Sequence, residues 1–380
     1  MITLPPEGEL ATQRIGDLTT EAGAVIRDVE IAYQRWGEFS GDPHGRNNLI
    51  IVEHALTGDS NVANWWDDLI GPGAPLDTDR FCILCTNVLG GCSGSTGPSS
   101  EHPDGGAWGS RFPAISIRDQ VRAEAMFLEA LGINSMHAVI GGSMGGARAL
   151  EWTLMYPDWA NYSCVIAMSA RASAWQIGIQ TAQISSIVRD PDWQGGDYYG
   201  TGSSPDAGLA AARRIAHLTY RGEQEIDERF GTMAQPGENP LGTHRDEHQR
   251  FAVQSYLDHQ GEQLVKRFDA GSYVTITESL SRHDIGRGRG GLNRALAQIN
   301  VPTMVVGVDT DILYPFHQQE HLSRNIGNLL AMNKIVSPVG HDAFLVETRQ
   351  MGHILRNFIA LADQTPSATD LAKQRGNYEI

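Results

Sequence analysis

The chain has 380 residues, of which 41% are hydrophobic and 19% are charged, a composition that provides enough apolar side chains for a sizeable globular core. Its formal net charge of -16 argues against nucleic acid or an anionic membrane as the main partner. We find no apolar run of about 18 residues and no signal-peptide pattern, and we therefore expect a cytoplasmic protein.

Short apolar runs alternate with helical patterns along most of the chain. Between the second and third runs lies a helical pattern, IRDQVRAEAMFLEALG (117–132). Strands that alternate with helices predict an α/β fold with a largely parallel sheet covered on both faces. The predicted strands are NNLIIVEHAL (47–56), RFCILCTNVLG (80–90), MHAVIGG (136–142), YSCVIAMSA (162–170), VPTMVVGVD (301–309) and NKIVSPVG (333–340).

The second predicted strand contains a CxxC pair, Cys82 and Cys85. Residues three apart in a strand point to opposite faces of the sheet. No second Cys/His pair at ligand spacing follows. We therefore predict buried structural roles for both thiols, and the sequence suggests no metal site.

The alternation stops between about residues 172 and 295, where the pattern is mostly helical. We interpret these helices as a lid inserted into the core. The prediction is therefore a core of residues 1–171 and 296–380, a lid of residues 172–295, and a polar C-terminal tail from about residue 364. The helical segments of the insertion are SAWQIGIQTAQISSIVRD (173–190), GLAAARRIAHLTY (208–220) and EHQRFAVQSYLDHQGEQLVKRF (247–268).

The turn after the third predicted strand has the pattern G-x-S-x-G, centred on Ser143 and flanked by a strand and a helix. In such a nucleophile elbow the serine occupies a strained turn, and large neighbouring side chains would collide. The alternative is a glycine-rich turn without chemistry. A phosphate-binding loop is excluded because no Gly-Lys-Ser/Thr follows, and the spacing does not fit a dinucleotide fingerprint.

A serine nucleophile needs a base that a third group orients, and on this fold the partners follow in the order Ser, Asp, His. Asp309 and Asp311 lie at the end of the strand predicted at 301–309, and His341 follows the last predicted strand and a glycine. We predict that His341 is the base. The pattern alone does not choose between the two aspartates.

An oxyanion hole needs two backbone N–H groups. The first is that of Met144, the residue after the serine. Our candidate for the second is Leu56, in the loop after the first predicted strand.

Several segments together resemble the homoserine O-acetyltransferases, a family within the α/β-hydrolase superfamily. They span nearly the whole chain in the order of the family. The versions GGARALEW and RRIAHLTYRGEQEIDERFG are similar to those of the actinobacterial branch. The segments are EHALTGDSN (53–61), CTNVLGGCSGSTGP (85–98), FPAISIRDQV (112–121), GGSMGGARALEW (141–152), AARRIAHLTYRG (211–222), GVDTDILYP (307–315) and GHDAFL (340–345).

The resemblance implies an α/β-hydrolase fold with Ser143 as nucleophile, His341 as base and Asp311, rather than Asp309, as the acid of the triad. It also implies a homodimer. The activity that the resemblance implies is acetyl transfer from acetyl-CoA to the side-chain hydroxyl of L-homoserine, a step of methionine biosynthesis. Acetyl-CoA is then a co-substrate, and no cofactor is permanently bound.

The resemblance further implies substrate contacts from Arg213 and Asp342, and a weaker one from Tyr220. Arg213 and Tyr220 are seven residues apart and share one face of a helix. A guanidinium suits the carboxylate of an amino acid, and Asp342 beside the base suits its amino group.

Four alternative functions remain open on the sequence. Succinyl-CoA could replace acetyl-CoA as the donor, or serine could replace homoserine as the acceptor. The same triad would serve an esterase if water entered the site. A non-catalytic binding protein on a hydrolase fold is the fourth. A separate hypothesis is that Arg287 and Arg289, within RHDIGRGRGGLNR (282–294), offset the phosphates of coenzyme A.

Overall fold

The computed structural model describes residues 2–242, 249–368 and 370. Of the predicted polar tail, residues 369 and 371–380 lie outside this part of the chain. The strands are β1 (Ala11–Thr19), β2 (Val25–Trp36), β3 (Leu49–Glu53), β4 (Ile70–Gly71), β5 (Leu76–Asp77), β6 (Cys82–Thr86), β7 (Met136–Gly142), β8 (Ala160–Ile166), β9 (Thr303–Val308) and β10 (Leu329–Ile335).

The α-helices follow the same chain order and cover both the regions between the strands and the insertion. They are α1 (Val62–Trp65), α2 (Ile117–Ala130), α3 (Met144–Met155), α4 (Ala174–Val188), α5 (Asp206–Tyr220), α6 (Glu223–Phe230), α7 (Ala252–Val265), α8 (Ala270–Ser281), α9 (Leu292–Ala297), α10 (Phe316–Asn325), α11 (Ala343–Val346) and α12 (Thr348–Gln364). None of the helices in the described ranges combines the length and apolar character that a membrane crossing needs.

Eight strands form one sheet in the order β1-β2-β6-β3-β7-β8-β9-β10. From β6 to β10 the neighbouring strands are parallel, whereas β1, β2 and β6 pair antiparallel. The predicted mostly parallel sheet of an α/β hydrolase is confirmed. The carboxyl ends of the parallel strands meet at one edge, where ligand sites of open α/β sheets lie.

Both faces of the central strands are buried, which explains their continuous apolar runs. In β3, Leu49 and Ile51 belong to the apolar cluster on one face, and Ile50 and Val52 belong to the cluster on the other.

The two cysteines of β6 follow the same rule. Cys82 packs in one cluster and Cys85 in the other, and both are free thiols. Burial raises the pKa of the Cys82 thiol to about 12 and raises the pKa of Cys85 as well. Both thiols are thus buried, as the strand pattern predicted, and their raised pKa values keep them protonated.

Two parts of the sheet differ from the sequence-based prediction. β1 and β2 were not predicted. β1 is an edge strand whose side chains are mostly exposed, and the first half of β2, which pairs with it, alternates between exposed and buried side chains. The last strand was predicted at residues 333–340 but is Leu329–Ile335, and residues 336–340 form a loop. β10 is the other edge of the sheet, so its first six residues are not fully buried and its apolar signal is weak.

Helices α4 to α8 lie in the chain between β8 and β9, and in this part of the chain the described residues add no strand to the sheet. α5 packs against both α4 and α7. α8 was not singled out in the sequence, and α9 spans the predicted lid boundary at residue 295. The division into lid and core stays a prediction.

Candidate active site

Ser143 lies in the turn between β7 and α3 with φ 55° and ψ -124°. This backbone conformation is costly for a residue with a Cβ and persists only where the surroundings enforce it. Here the Ser143 N–H donates to the carbonyl of Ile166 at 2.9 Å, and the Ser143 carbonyl accepts from the N–H of Ala147 at 3.1 Å. The turn therefore presents the serine side chain at the carboxyl edge of the sheet.

The glycines around Ser143 provide space for close approach. None of Gly141, Gly142, Gly145 and Gly146 has a positive φ. A Cβ at Gly141 would overlap the carbonyl of Gly145, and one at Gly142 would overlap the ring of Phe344. A Cβ at Gly145 would overlap the carbonyl of Glu53 at the end of β3. β7, α3 and β3 can therefore come together beneath the serine only because these side chains are absent.

His341 bridges Ser143 and Asp311. Its Nε2 is 2.8 Å from Ser143 Oγ, and its Nδ1 is 2.6 Å from Asp311 Oδ2. All three side chains are buried. Because Nδ1–H donates to the carboxylate, the Nε2 lone pair accepts the serine hydroxyl, which is the arrangement of a general base.

The structure separates the two aspartates that the pattern left open. Asp311 Oδ1 accepts the N–H groups of Leu313 and Tyr314, both at 2.8 Å, which aims Oδ2 at the imidazole. Asp309 instead accepts the N–H of Ser337 at 3.1 Å and ties the loops after β9 and β10 together. The geometry thus places Asp311 with His341, in agreement with the family resemblance.

The site shifts the pKa values of His341 and of its neighbour Asp342. Burial lowers the pKa of His341, but the Asp311 carboxylate and, to a smaller extent, Asp342 together more than offset this effect, so that the pKa lies above the ordinary imidazole value. Burial raises the pKa of Asp342 above its ordinary value, against the opposing effects of His341 and Arg213. The base and its neighbour are therefore electrostatically linked.

One predicted oxyanion donor, Met144, directly follows the serine, and the other, Leu56, lines the same cavity. Leu56 follows β3 and lines the cavity in front of Ser143, and Met144 is the first residue of α3. Within residues 2–242 and 249–368, neither of these backbone N–H groups donates to another protein atom. The free N–H of Met144 lies at a helix N-terminus, where a developing negative charge is favoured. Their catalytic role stays a prediction.

A cavity of about 380 Å³ opens in front of the serine. Ser143 and His341 line it, and so do the predicted substrate contacts Arg213, Tyr220 and Asp342. Its volume lies within the range of small-molecule sites, roughly 300–1,000 Å³. The cavity brings the nucleophile, the base and all three predicted contacts into one compartment.

Arg213 reaches the cavity from α5. Its Nη1 donates to Thr57 Oγ1 at 3.3 Å, and its guanidinium carbon lies 5.6 Å from the centre of the Tyr220 ring. Across the part of the chain that is described, Arg213 has no carboxylate partner, and its buried Nε has no hydrogen bond. The neighbouring Arg214 is instead paired with Asp258 at 2.7 Å. Arg213 therefore offers unused donors to an anionic ligand.

Sequence reasoning did not assign several residues that line the cavity. Arg267, directly after α7, donates from Nη1 to the carbonyl of Thr57 at 2.7 Å. Trp65 donates from Nε1 to the carbonyl of Asp59 at 3.0 Å. Thr57 and Asp59 belong to a quoted segment, EHALTGDSN, but Arg267 carries no motif because it stands in an ordinary charged helix end. Asn64 is a further lining residue.

The hypothesis for Arg287 and Arg289 does not fit the structure. Arg287 pairs with Glu21 at 2.8 Å, and Arg289 pairs with Glu151 at 2.8 Å. Neither residue lines the cavity. Their charges are used to connect the returning chain to the core.

Metal ligands are not clustered in the described ranges, where no group of three or more His, Cys, Asp or Glu side chains is placed to hold an ion.

Comparisons with known proteins bear on the fold and the family of the chain. A family model described as the alpha/beta hydrolase fold matches residues 48–348. The homoserine O-acetyltransferase of Corynebacterium efficiens is 69% identical, over 95% of this chain and 96% of the relative. Among solved structures, esterase E22 has a TM-score of 0.83 with 25% identity, over 92% of this chain and 99% of that chain. The homoserine O-acetyltransferase of Bacillus anthracis has a TM-score of 0.81 with 23% identity, over 92% and 97% of the two chains.

Proposed function

The chain belongs to the homoserine O-acetyltransferase family of α/β hydrolases, and from this premise we propose that it transfers the acetyl group of acetyl-CoA to the side-chain hydroxyl of L-homoserine. The observation that carries the proposal is one cavity that joins Ser143, hydrogen-bonded to His341, with the unpaired guanidinium of Arg213. A nucleophile alone serves any acyl transfer, whereas a cation in the same compartment selects a carboxylate-bearing acceptor.

In the first half-reaction, His341 Nε2 takes the proton of Ser143 Oγ as the oxygen attacks the thioester carbon. The N–H groups of Leu56 and Met144 hold the oxyanion of the tetrahedral intermediate. The carbon–sulfur bond then breaks, and His341 returns the proton to the leaving sulfur. Asp311 orients the imidazole and stabilises its charged form. The products are coenzyme A and an acetyl ester on Ser143.

In the second half-reaction, L-homoserine occupies the cavity with its carboxylate on Arg213 and its ammonium group near Asp342. His341 takes the proton of the homoserine hydroxyl, and the oxygen attacks the acetyl carbon. The ester bond to Ser143 breaks, and the proton passes from His341 to Ser143 Oγ. O-acetyl-L-homoserine leaves, an intermediate of methionine biosynthesis.

Transfer competes with hydrolysis of the acetyl-serine. Esterase E22 has the same fold, so the triad alone does not exclude an esterase. Homoserine wins over water when it is held in line with the ester and water is displaced from the cavity. Arg213, Tyr220 and Asp342 provide three contacts from two sides for that purpose. A homodimer and a cytoplasmic location complete the proposal.

The experiment that tests the function measures free coenzyme A thiol released from acetyl-CoA with and without L-homoserine. Succinyl-CoA and L-serine replace donor and acceptor in parallel. Release that depends on homoserine is expected. Equal release without an acceptor would establish an esterase, and a preference for succinyl-CoA or serine would correct the substrate. Absence of release from every donor would favour a binding protein.

Two variants accompany this measurement. Ser143→Ala removes the nucleophile and is expected to abolish both thiol release and the acetyl mass increment on the protein. Ser163→Ala is the matched control. Ser163 lies in β8, is fully buried, and its Oγ has no hydrogen-bond partner within the described residues.

A further inference from the structure

Arg148 is a buried cation that the reaction scheme does not use. It lies on α3, five residues after Ser143, and its side chain is 0% exposed. A guanidinium removed from water must be paired, since an isolated buried charge is very costly. Its partners therefore indicate why the charge is present.

Three groups from two other elements surround Arg148. Its Nη1 lies 2.6 Å from Glu124 Oε1 of α2 and 2.8 Å from Glu53 Oε2 of β3. Its Nη2 donates to the backbone carbonyl of His54 at 2.9 Å. Trp152, one turn further along α3, donates from Nε1 to both carboxylates at 3.1 Å. Helix α3, which begins directly after Ser143, is thus held against Glu53 at the end of β3 and against the His54–Ala55 peptide.

The next peptide, Ala55–Leu56, is held by the side chain of His54. Its Nδ1–H donates to the carbonyl of Ala55 at 2.7 Å, and its Nε2 accepts the N–H of Val88 at 3.1 Å. The N–H of Gly58 donates to the same Ala55 carbonyl at 2.9 Å. Burial and the nearby Arg148 lower the pKa of His54 to about 3, so the ring is neutral and keeps this pattern of one donor and one acceptor.

These contacts fix the direction of the predicted oxyanion donor. The carbonyl of Ala55 and the N–H of Leu56 belong to one trans peptide plane, and in such a plane the two groups point in opposite directions. Holding the carbonyl against His54 therefore aims the Leu56 N–H away from His54. The preceding plane, whose carbonyl is that of His54, is held by Arg148.

We infer that Arg148 and His54 are positioning residues which clamp two successive peptide planes and so fix the Leu56 N–H relative to Ser143. Ser143 directly precedes α3 and Arg148 lies on that helix, so a displacement of α3 moves the nucleophile and the guanidinium together. The inference rests on the proposed function, because a fixed Leu56 N–H matters for catalysis only if Ser143 carries out acyl transfer. It can nevertheless be tested with a reagent that needs neither acetyl-CoA nor homoserine.

The test is the second-order rate of Ser143 labelling by an alkyl fluorophosphonate, whose phosphoryl oxygen occupies an oxyanion hole. Misplacing one donor is expected to slow labelling by about 10- to 100-fold in Arg148→Gln and in His54→Gln. Arg148→Lys, which keeps the charge and one contact, is expected to lie between Arg148→Gln and the native chain. The pH at which labelling is half-maximal should not change, because no contact of His341 is altered.

Arg118→Gln is the matched control. Arg118 on α2 also holds α3, through a 3.0 Å contact from Nε to Glu151, but it does not touch the loop after β3. Equal slowing by this variant would reduce the effect to general loosening of α3 and overturn the inference. Native labelling rates in Arg148→Gln and His54→Gln would do the same.

A second readout covers variants that fold poorly. In the acetylated enzyme, the ester carbonyl stretching frequency should rise in Arg148→Lys as the Leu56 hydrogen bond weakens, and an unchanged frequency would contradict the clamp. The two proposals fail separately. Normal labelling of the native chain without acetyl transfer to homoserine would overturn the proposed function and leave the clamp in place.

Discussion

The backbone N–H of Asp342 donates a 3.0 Å hydrogen bond to the carbonyl of Tyr220. Two residues after Tyr220 and three residues before Asp342, the N–H of Gly222 donates to the carbonyl of Val339 at 2.7 Å. The loop that carries His341 is thereby joined directly to the end of α5, the helix that carries Arg213. The position of the base relative to the end of α5 is thereby fixed by backbone hydrogen bonds, which favours an in-line attack by an amino acid bound to Arg213.

Arg213→Gln should raise the KM for L-homoserine by about 10- to 100-fold, because a hydrogen bond to a charged group contributes about 1.5–3 kcal/mol. Acetylation of Ser143 by acetyl-CoA should stay close to the native rate, since the carboxylate is absent in that step. Steady-state KM and burst-phase acetylation measure the two effects. Arg214→Gln, on the same helix but paired with Asp258, is the control and should change neither. A reduced acetylation rate in Arg213→Gln would instead assign the residue to the first half-reaction.

Acetylation of Ser143 should increase with pH and level off above the ordinary imidazole pKa of 6.5. Only neutral His341 accepts the serine proton, and the Asp311 carboxylate holds the pKa of His341 above that value. The position of this rising limb of the pH profile is measured from the dependence of kcat/KM on pH with a chromogenic acetyl ester.

Asp342→Asn should move the same limb to lower pH, because the negative charge of Asp342 contributes to raising the pKa of His341. The variant should also weaken homoserine binding, since the ammonium group loses its carboxylate partner. A limb that stays in place, or that moves to higher pH, would show that Asp342 does not act on the base.

Gly145→Ala should destabilise the protein by about 3 kcal/mol or more, since the new methyl group would overlap the backbone carbonyl of Glu53 and the packing there cannot yield. Chemical denaturation measures the free energy of unfolding. Gly178→Ala is the matched substitution on α4, where an added methyl group meets no atom within 4 Å. That change should stabilise the protein by about 0.5–1 kcal/mol. Equal effects of the two alanines would contradict the close-packing explanation for the elbow.

His137→Phe should make the protein more resistant to acid. Burial lowers the pKa of His137 from 6.5 to about 4, so between these values the unfolded chain binds more protons and stability falls as the pH falls. The loss amounts to about 3 kcal/mol at about 1.36 kcal/mol per pKa unit. Phenylalanine has no titrating group, so it removes this loss of stability, and it keeps the ring contacts with Phe81 and Tyr162. Unfolding free energies at pH 7 and pH 4 give the difference, and the exposed His353→Gln should leave it unchanged.

The sequence predicted those parts of the molecule whose signals are local. The strand before the elbow was predicted at residues 136–142 and is Met136–Gly142, because both of its faces are buried and a glycine cluster ends it. Ser143 and His341 were found from motif and chain order. The choice between Asp309 and Asp311 was not local in the same sense, because β9 ends at Val308 and the turn beyond it decides which carboxylate reaches the imidazole.

Contacts between segments that are distant in the sequence could not be predicted from local sequence patterns. Arg148, Glu124 and Glu53 are charged residues in helical or strand patterns, and nothing in their spacing predicts that they are buried together. Arg267 enters the cavity only because α7 ends beside the loop after β3. The edge strands β1 and β10 were missed or misplaced for the opposite reason, since exposure on one side removes the apolar run that marks an inner strand.

The buried set of Arg148, Glu53 and Glu124 also restricts how this part of the chain can change over evolutionary time. Removing one partner of a buried ionic set costs about 3–5 kcal/mol, whereas replacing the whole set with apolar side chains of similar volume is often neutral. Such a cost is comparable to much of the stability of a typical domain, about 5–15 kcal/mol. Each single substitution at these positions therefore passes through a destabilised intermediate. We expect relatives to keep all three residues or to have replaced all three together.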